Sequence, residues 1–506
     1  APATETDTVK IYTYTALGTN TLTDQSVFKV TKDGPLAFMD ATDFSKTLWV
    51  VGKQSEAETK DDPKYVQATG IWVDASGKTI KNSGKIYVTS EDYAHFYANK
   101  AVSVKDGTFE NHGTIVAKNA YGVTSGQNGT KANIVNAFDG VIVVEDRGVA
   151  IELGGISKDT DGKAVSTAAT ATNYGTITVG AAKKYAADDK GGAAQYAAGV
   201  QIKGNSADIA IENQEFLNNG LLDAADADGT YAVSVQYAKG AKITNNKTIN
   251  GLIVVGDGAT GTTISLNKTS VVNGDISVAG DGTTIKLDDA AVTTGDIIVN
   301  STTTGDSVQG TTIAATTETG KVSTLTGSIL AQQGSVKQTG SLKAESVVVG
   351  TLKAGDTDAT NGTYTVNTGA KLAVESATVN TGTLNVAGEL TTGELTTVKT
   401  TGAASVTGTL SAGKITNAGT LTLSNNGTVK VTGTGSVNKG SIANAENTSG
   451  TFEVTKGADF TNEADAVMGA SDKLLSTIKV AEGATLKNSG LIYVNALTVD
   501  GTVDTG

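Results

Sequence analysis

The chain of 506 residues contains no cysteine, 3 prolines, 2 histidines, 2 methionines and 5% aromatic residues. Without cysteine there is no disulfide framework and no thiolate metal site, so stability must come from packing and backbone hydrogen bonding. All three prolines, Pro2, Pro35 and Pro63, precede Lys64. Beyond that point every residue keeps its backbone N–H, as a body of continuous strand ladders requires. Arg147 is the sole arginine and the formal net charge is −13. That balance argues against a nucleic-acid partner, which needs a basic stripe, and against an arginine-built anion clamp. No apolar run approaches ~20 residues, so no helix is expected to cross a bilayer.

What the chain has instead is 61 glycines with abundant Thr, Ser, Ala, Val and Asn, arranged in a phrase. Asn173-Tyr174-Gly175-Thr176-Ile177-Thr178-Val179 states it: Asn, any residue, Gly, then apolar residues separated by a polar one. Copies begin at Asn82, Asn417, Asn425 and Asn488, with a looser one at Asn111. Each is a turn followed by a short strand. Alternate strand residues point to opposite faces, so Ile177 and Val179 are expected inside and Thr178 outside. Asn at the corner is expected to stack its amide on the next coil as a hydrogen-bonded ladder. Gly is expected there for dihedrals that other residues resist.

A second phrase is a small residue, Val, any residue and an apolar one, as in Ala101-Val102-Ser103-Val104 and Gly148-Val149-Ala150-Ile151. It returns at Val123, Val200 and Val233. Taken as one column, Val102 to Val123 is 21 residues and Val123 to Val149 is 26, lengths for a full coil. Gly-Thr-Thr-Ile recurs from Gly261, Gly282 and Gly310. From about 380 to 445 the rhythm becomes Gly, one residue, then Leu, Ile or Val, as at Gly382/Leu384, Gly388/Leu390 and Gly393/Leu395. Three such units make a coil of ~20 residues, with two or three strands per coil both open. Ala464 to Ile478 is the one stretch that suits a short helix or loop excursion.

The fold class expected is all-β: a right-handed parallel β-helix, or β-solenoid. Residues 1–75, with both tryptophans and all the prolines, read as an N-terminal cap, and 76–506 as the solenoid. Roughly 20 to 23 coils at ~4.8 Å each would make a rod of the order of 100 Å. Polar inserts near 157–165, 182–195 and 223–230 are expected to protrude as loops.

The wording of Asn111-His112-Gly113-Thr114-Ile115, Asn173-Tyr174-Gly175-Thr176-Ile177 and Arg147-Gly148-Val149-Ala150-Ile151 resembles that of bacterial autotransporter passenger domains and related surface adhesins. The resemblance covers most of the chain and weakens after about 260. It implies export by a Gram-negative cell and display at the bacterial outer cell surface, as an extracellular protein. The start Ala1-Pro2-Ala3 fits a chain after signal-peptide cleavage. The C-terminal region shows no membrane-barrel strands, so a translocator would have been removed or anchorage achieved otherwise.

Chemistry is sparse. Polysaccharide lyases and hydrolases also use parallel β-helices, with carboxylate clusters and basic partners. Here His95 lies in an aromatic run and His112 at the variable position of a turn; both read as structural or solvent-facing. There is no Gly-x-Ser-x-Gly elbow. Asp159-Thr160-Asp161-Gly162 and Asp226-Ala227-Asp228-Gly229 have the oxygen-rich character calcium prefers but lack full ligand spacing, and read as solvated turns. No catalytic residue, cofactor or metal ligand is assigned. The function expected is that of a non-enzymatic, secreted, adhesin-like contact rod whose partners are host or neighbouring-cell surface molecules. The alternatives are a self-assembling subunit of a surface layer or filament, whose partners are copies of itself, and a polysaccharide-degrading enzyme.

Overall fold

The computed structural model describes residues 10–12, 27–30, 36–37, 43–44, 47–52, 69–90, 99–125, 131–154, 156–158, 164–166, 168–183, 196–204, 211–256, 258–301, 310–351, 360–398 and 401–505. Among them there is no helix, and the strands pair almost entirely in parallel, as a β-solenoid. The chain divides into two compact units, Ala1–Asp275 and Ile276–Gly506.

In the first unit each coil has three strands, which settles the choice left open by the repeat lengths. One ladder, the asparagine face, runs through residues 79–82, 108–111, Lys131–Asn136, Thr170–Asn173, Glu215–Asn218, Lys242–Asn245 and Thr263–Leu266. The second face runs through Thr47–Gly52, Lys85–Ser90, residues 114–118 and 141–145, Thr176–Val179, Leu221–Ala224, Thr248–Asn250 and Val271–Asn273. The third runs through residues 69–73, 100–104, 120–125 and 148–153, then Ala197–Lys203, Thr230–Gln236 and Ile253–Val255. Ile177 and Val179 are buried and Thr178 is half-buried, as the alternation requires.

Strands before residue 75 add to these ladders. Lys10–Tyr12 pairs with Val27–Val30, which pairs with Thr47–Gly52; Leu36–Ala37 and Asp43–Phe44 pair with Thr69–Asn82. The rest of the region expected as a cap lies outside the described residues.

The Asn ladder is present and is the spine of this unit. Asn82 donates to Asn111 at 2.7 Å, Asn111 to Asn136 and Asn136 to Asn173 at 2.8 Å, Asn173 to Asn218 and Asn218 to Asn245 at 2.9 Å. All six side chains are buried. Each but Asn245, the last rung, uses one amide hydrogen along the ladder; from Asn111 onward the amide also serves nearby carbonyls, as Asn136 does with Gly140 and Thr176. A buried polar group is tolerated only when its partners are supplied, and here the next coil supplies them.

The glycine of the motif has a different role from the one expected. Gly113, Gly140, Gly175 and Gly220 do not need left-handed backbone. A Cβ on Gly175 would lie 2.2 Å from the carbonyl oxygen of Gly140, and one on Gly113 would lie 2.0 Å from that of Gly84. The corner needs glycine because adjacent coils touch there.

Another expectation is corrected by the register of the third face. Val123 stacks on Ile151, not Val149: the register up to Glu145 already passes Val149 by one residue, and the bulge at Asp146 and Arg147 shifts it one residue further. The column is therefore Val102, Val123, Ile151, Val200, Val233 and Ile253.

The second unit also has three ladders. Gly362, Gly382 and Gly402 stand in one line. Leu384, Leu390 and Leu395, the three units read as one coil, are buried, the first on Gly382–Val386 and the other two on either side of Gly393 in Glu389–Thr397. Strands such as Lys371–Val379 serve two faces, bending at the unpaired Glu375. A second ladder links Asn417 to Asn438 at 2.7 Å, Asn438 to Asn462 and Asn462 to Asn488 at 2.8 Å. Asn425 is not a member: it and Asn426 take positive φ, 50° and 68°, in a turn, which Asn tolerates better than most residues. Ala464 to Ile478 holds no helix; it contains the strand Val467–Met468 and a turn leading into Leu475–Val480.

Tyr364 is the odd member of this core. It is fully buried between Val336 and Leu384, and its hydroxyl has no hydrogen-bond partner. Burial pushes its ionisation far above the ordinary range. A buried donor without an acceptor costs about 1–3 kcal/mol, so Tyr364→Phe is expected to stabilise the surrounding coils by about 1 kcal/mol. Slower amide exchange in residues 334–338 and 382–386 would register it.

Candidate contact face

The corners differ sharply. Between the asparagine face and the second face the chain uses only residues 83–84, 112–113, 137–140, 174–175, 219–220, 246–247 and 267–270. From Thr47 onward every long interruption of this unit enters or leaves the third face: 53–68, 91–98, 126–130, 154–169, 180–196, 204–214 and 225–229. Coils locked by a buried amide ladder and touching glycines leave no room at the first corner. Among the described residues no buried amide ladder runs along the borders of the third face, although coils touch there at Gly148, whose Cβ would lie 1.9 Å from the Ala120 carbonyl oxygen.

The insert expected near 157–165 contains an antiparallel pair, Ile156–Lys158 with Ala164–Ser166. It follows directly from the third-face strand, where Gly154 N–H donates to Ser125 Oγ at 2.9 Å. Of the insert at 182–195, residues 184–195 lie outside the described residues. That at 223–230 begins in strand Leu221–Ala224 and forms a turn before Thr230–Gln236.

The outer side of the third face is not wet. An outward row of Ser103, Thr124, Glu152, Gln201 and Ser234 runs along it, and Ser103, Thr124, Gln201 and Ser234 are at most 2% exposed. Beside it, Tyr121, Val149 and Ala198 form an apolar cluster with Tyr196 and Tyr231 packed against it. Tyr121 Oη donates to Gln201 Oε1 at 3.2 Å, and Gln201 Nε2 donates to Tyr196 Oη at 2.6 Å. The Tyr196 and Tyr231 rings are 5.4 Å apart and tilted by 43°. Burial holds the Tyr196 phenol protonated well above its usual range. This second, external core escaped sequence reading. Its signal was the loss of alternation in runs such as Ala197-Ala198-Gly199-Val200, which marks a strand covered on both sides.

Glu152 is partly accessible at its surface yet desolvated around its carboxyl, which raises its pKa against the lowering pull of Lys100 and Lys203. The folded chain holds this proton to higher pH than the unfolded chain. Its contribution is therefore complete below the ordinary carboxylate range and is lost as pH rises through the raised value. Glu152→Gln is expected to remove that loss and to make the urea midpoint of the first unit less dependent on pH above about 5. Parallel pH series on the two proteins check it.

Arg147, a bulge residue at the border of the second and third faces, is 1% exposed. His112 sits at the opposite corner, its Nδ1 2.9 Å from Asp139 and its Nε2 3.5 Å from Glu110. His95, Asp159 and Asp161 lie outside the described residues. Asp226 and Asp228 are exposed in their turn, and among the described residues no group of three His, Cys, Asp or Glu side chains is placed to hold a metal ion. No helix among the described residues is long and apolar enough to cross a membrane. The sequence matches no protein-family model and no curated protein.

Proposed function

We propose that this chain is a non-enzymatic scaffold, secreted and held at a bacterial outer surface, which presents its third face to molecules on a host or neighbouring cell. The observation that carries the reading is the confinement of the inserts to the borders of one face. In the second unit too, the breaks at 302–309, 352–359 and 399–400 fall at one corner, between equivalent strand ladders. A solenoid whose coils are fixed by nearest-neighbour contacts tolerates insertion wherever coils are not in contact, and inserts gathered on one side form a shared surface. The external core beneath them gives that surface a rigid floor, and preordered surfaces lose less entropy on binding. The autotransporter-passenger resemblance of the repeat wording supports an extracellular adhesin.

The test uses the full chain coupled to beads and presented to cells. Shortening residues 159–163 to a two-residue turn is expected to abolish adhesion while leaving the circular dichroism spectrum unchanged. Adhesion that survives this and the equivalent shortening of 184–195 would remove the reading. Negative-stain images showing sheets or fibres in place of separate particles would favour the self-assembling subunit, and release of reducing or unsaturated sugar from acidic polysaccharides would favour the enzyme.

A further inference from the structure

The corner between the asparagine face and the second face is closed to inserts, yet its exposed edge carries a column of its own. Not every coil keeps the Asn-x-Gly rule: Asn136-Ala137-Phe138-Asp139-Gly140 spends two extra residues, and Phe138 emerges 90% exposed. The added residues do not change the stacking, since Thr176 N–H still donates to the Gly140 carbonyl at 3.0 Å. In the next coil the variable residue is Tyr174, 46% exposed, its N–H bonded to the Asn136 carbonyl at 2.7 Å. The variable residues of the coils after that are Asn219, Asn246 and Asn267. Asn246 donates to Asn219 at 2.7 Å and Asn267 to Asn246 at 2.7 Å. Along the second face, Asn250 donates to Asp223 at 2.8 Å and Asn273 to Asn250 at 2.9 Å.

A single exposed ring needs no explanation. Two exposed rings in consecutive corners, followed by an amide ladder in the corners after them, populate one edge. We propose that this edge binds a neutral polysaccharide chain lying along the solenoid axis. Sugar rings present C–H faces that pack on aromatic side chains, and hydroxyls that both donate and accept. Phe138 and Tyr174 supply the first kind of contact. An amide offers two N–H hydrogens and two carbonyl lone pairs, and at Asn246 the ladder uses one of each, leaving both kinds over for hydroxyls. From Phe138 to Asn267 is four coil steps, about 20 Å at the spacing of paired strands. Each step is close to the length of one extended hexose unit, so repeating ligand meets repeating protein. The N–H groups of Tyr174, Asn219, Asn246 and Asn267 each bond to the coil before, and Ala137 beside Phe138 does the same, which keeps the entropy lost on binding small. The edge carries Asp139 and Asp223 together with Lys247 and Lys268, two charges of each sign, so a charged polymer gains no net attraction from it. The site does not depend on the insert-bearing face.

Native gels cast with soluble neutral polysaccharides (hydroxyethyl cellulose, xylan, mannan, dextran) test it on the full chain. Retardation by at least one is expected, with about tenfold weaker affinity for Phe138→Ala and for Tyr174→Ala, each ring contact contributing on the scale of an aromatic pair. Phe138→Trp should retain binding. Both positions are exposed, so the circular dichroism and amide exchange of the variants should match those of the parent. The insert-shortened chain should be retarded like the parent, which separates this site from the adhesive face. No retardation by any of the four polymers, or retardation undiminished in the double alanine variant, would overturn the proposal. So would concentration-dependent dimerisation that Phe138→Ala abolishes without any polysaccharide binding, which would make the edge a contact between copies.

Discussion

Replacing Asn136 by alanine is expected to open the middle of the first unit, with a local loss of about 3–5 kcal/mol. Asn136 accepts from Asn111 and donates to Asn173, and its amide also serves the Gly140 and Thr176 carbonyls. Removing it deprives Asn173 Oδ1 of its donor and leaves two backbone carbonyls a donor short, in a column that is 0–1% exposed. Each orphaned buried group costs about 1–3 kcal/mol, and the terms add up unless water enters. Asn136→Asp should be as damaging, because a carboxylate offers no hydrogen to Asn173 and brings an uncompensated charge indoors. The ladder is polarised in one sense, so each bond strengthens its neighbours. Yet coils couple mainly to the next coil, and the damage should stay local. Amide exchange resolved by segment is therefore the measurement: residues 108–111, 131–136 and 170–173 should lose protection while 242–245 keep theirs. Asn488→Ala, at the last rung of the other ladder, should cost less than half as much, since it strands one donor on Asn462 and the Gly490 carbonyl. Uniform loss across the first unit would show that the ladder is not the local clamp described.

Much of this ladder is legible in the sequence alone. Asn82, Asn111, Asn173, Asn417 and Asn488 share an Asn-x-Gly phrase and all prove to be rungs. Asn218 and Asn438 carry the same phrase and could have been found with them, whereas Asn136 and Asn462 sit before longer corners that hide the spacing. Asn425 shows the converse failure: the same letters make an exposed left-handed turn, because a ladder requires a partner one coil away and the sequence does not state which residue that is. Register is the general obstacle. Val149 matches its phrase better than Ile151 does, but the register up to Glu145 and the bulge after it decide the pairing. The external core on the third face is hidden for a related reason. Tyr121, Gln201 and Tyr196 are far apart in the chain, and only the stacking of three coils brings a phenol against an amide and that amide against a second phenol.

The motif's glycine makes the second large prediction, one in which two kinds of glycine part company. Gly457 has φ of +77° with nothing within 4 Å of where a Cβ would stand, so its constraint is the backbone conformation alone. Gly457→Ala should cost about 1–2 kcal/mol, and Gly457→Asn less, because Asn visits that region more readily. Gly175 has no such conformation. Its Cβ would stand 2.2 Å from the Gly140 carbonyl oxygen and 2.3 Å from that of Ala137, both backbone atoms held by their own hydrogen bonds. Relief requires the coils to separate, which stretches the Thr176-to-Gly140 bond and the Asn136-to-Asn173 bond beside it. Gly175→Ala is expected to cost about 3 kcal/mol, at the upper end of overpacking penalties. Gly175→Asn should be worse than Ala, reversing the order expected at Gly457. That reversal is the decisive readout, since unfolding midpoints for four variants, each followed by exchange in its own coil, compare like with like. If Asn ranked better than Ala at both positions, the corner would be a matter of dihedral angle. The observed approach of the coils predicts the opposite rank at Gly175, where the volume of any side chain, and not its backbone preference, sets the penalty.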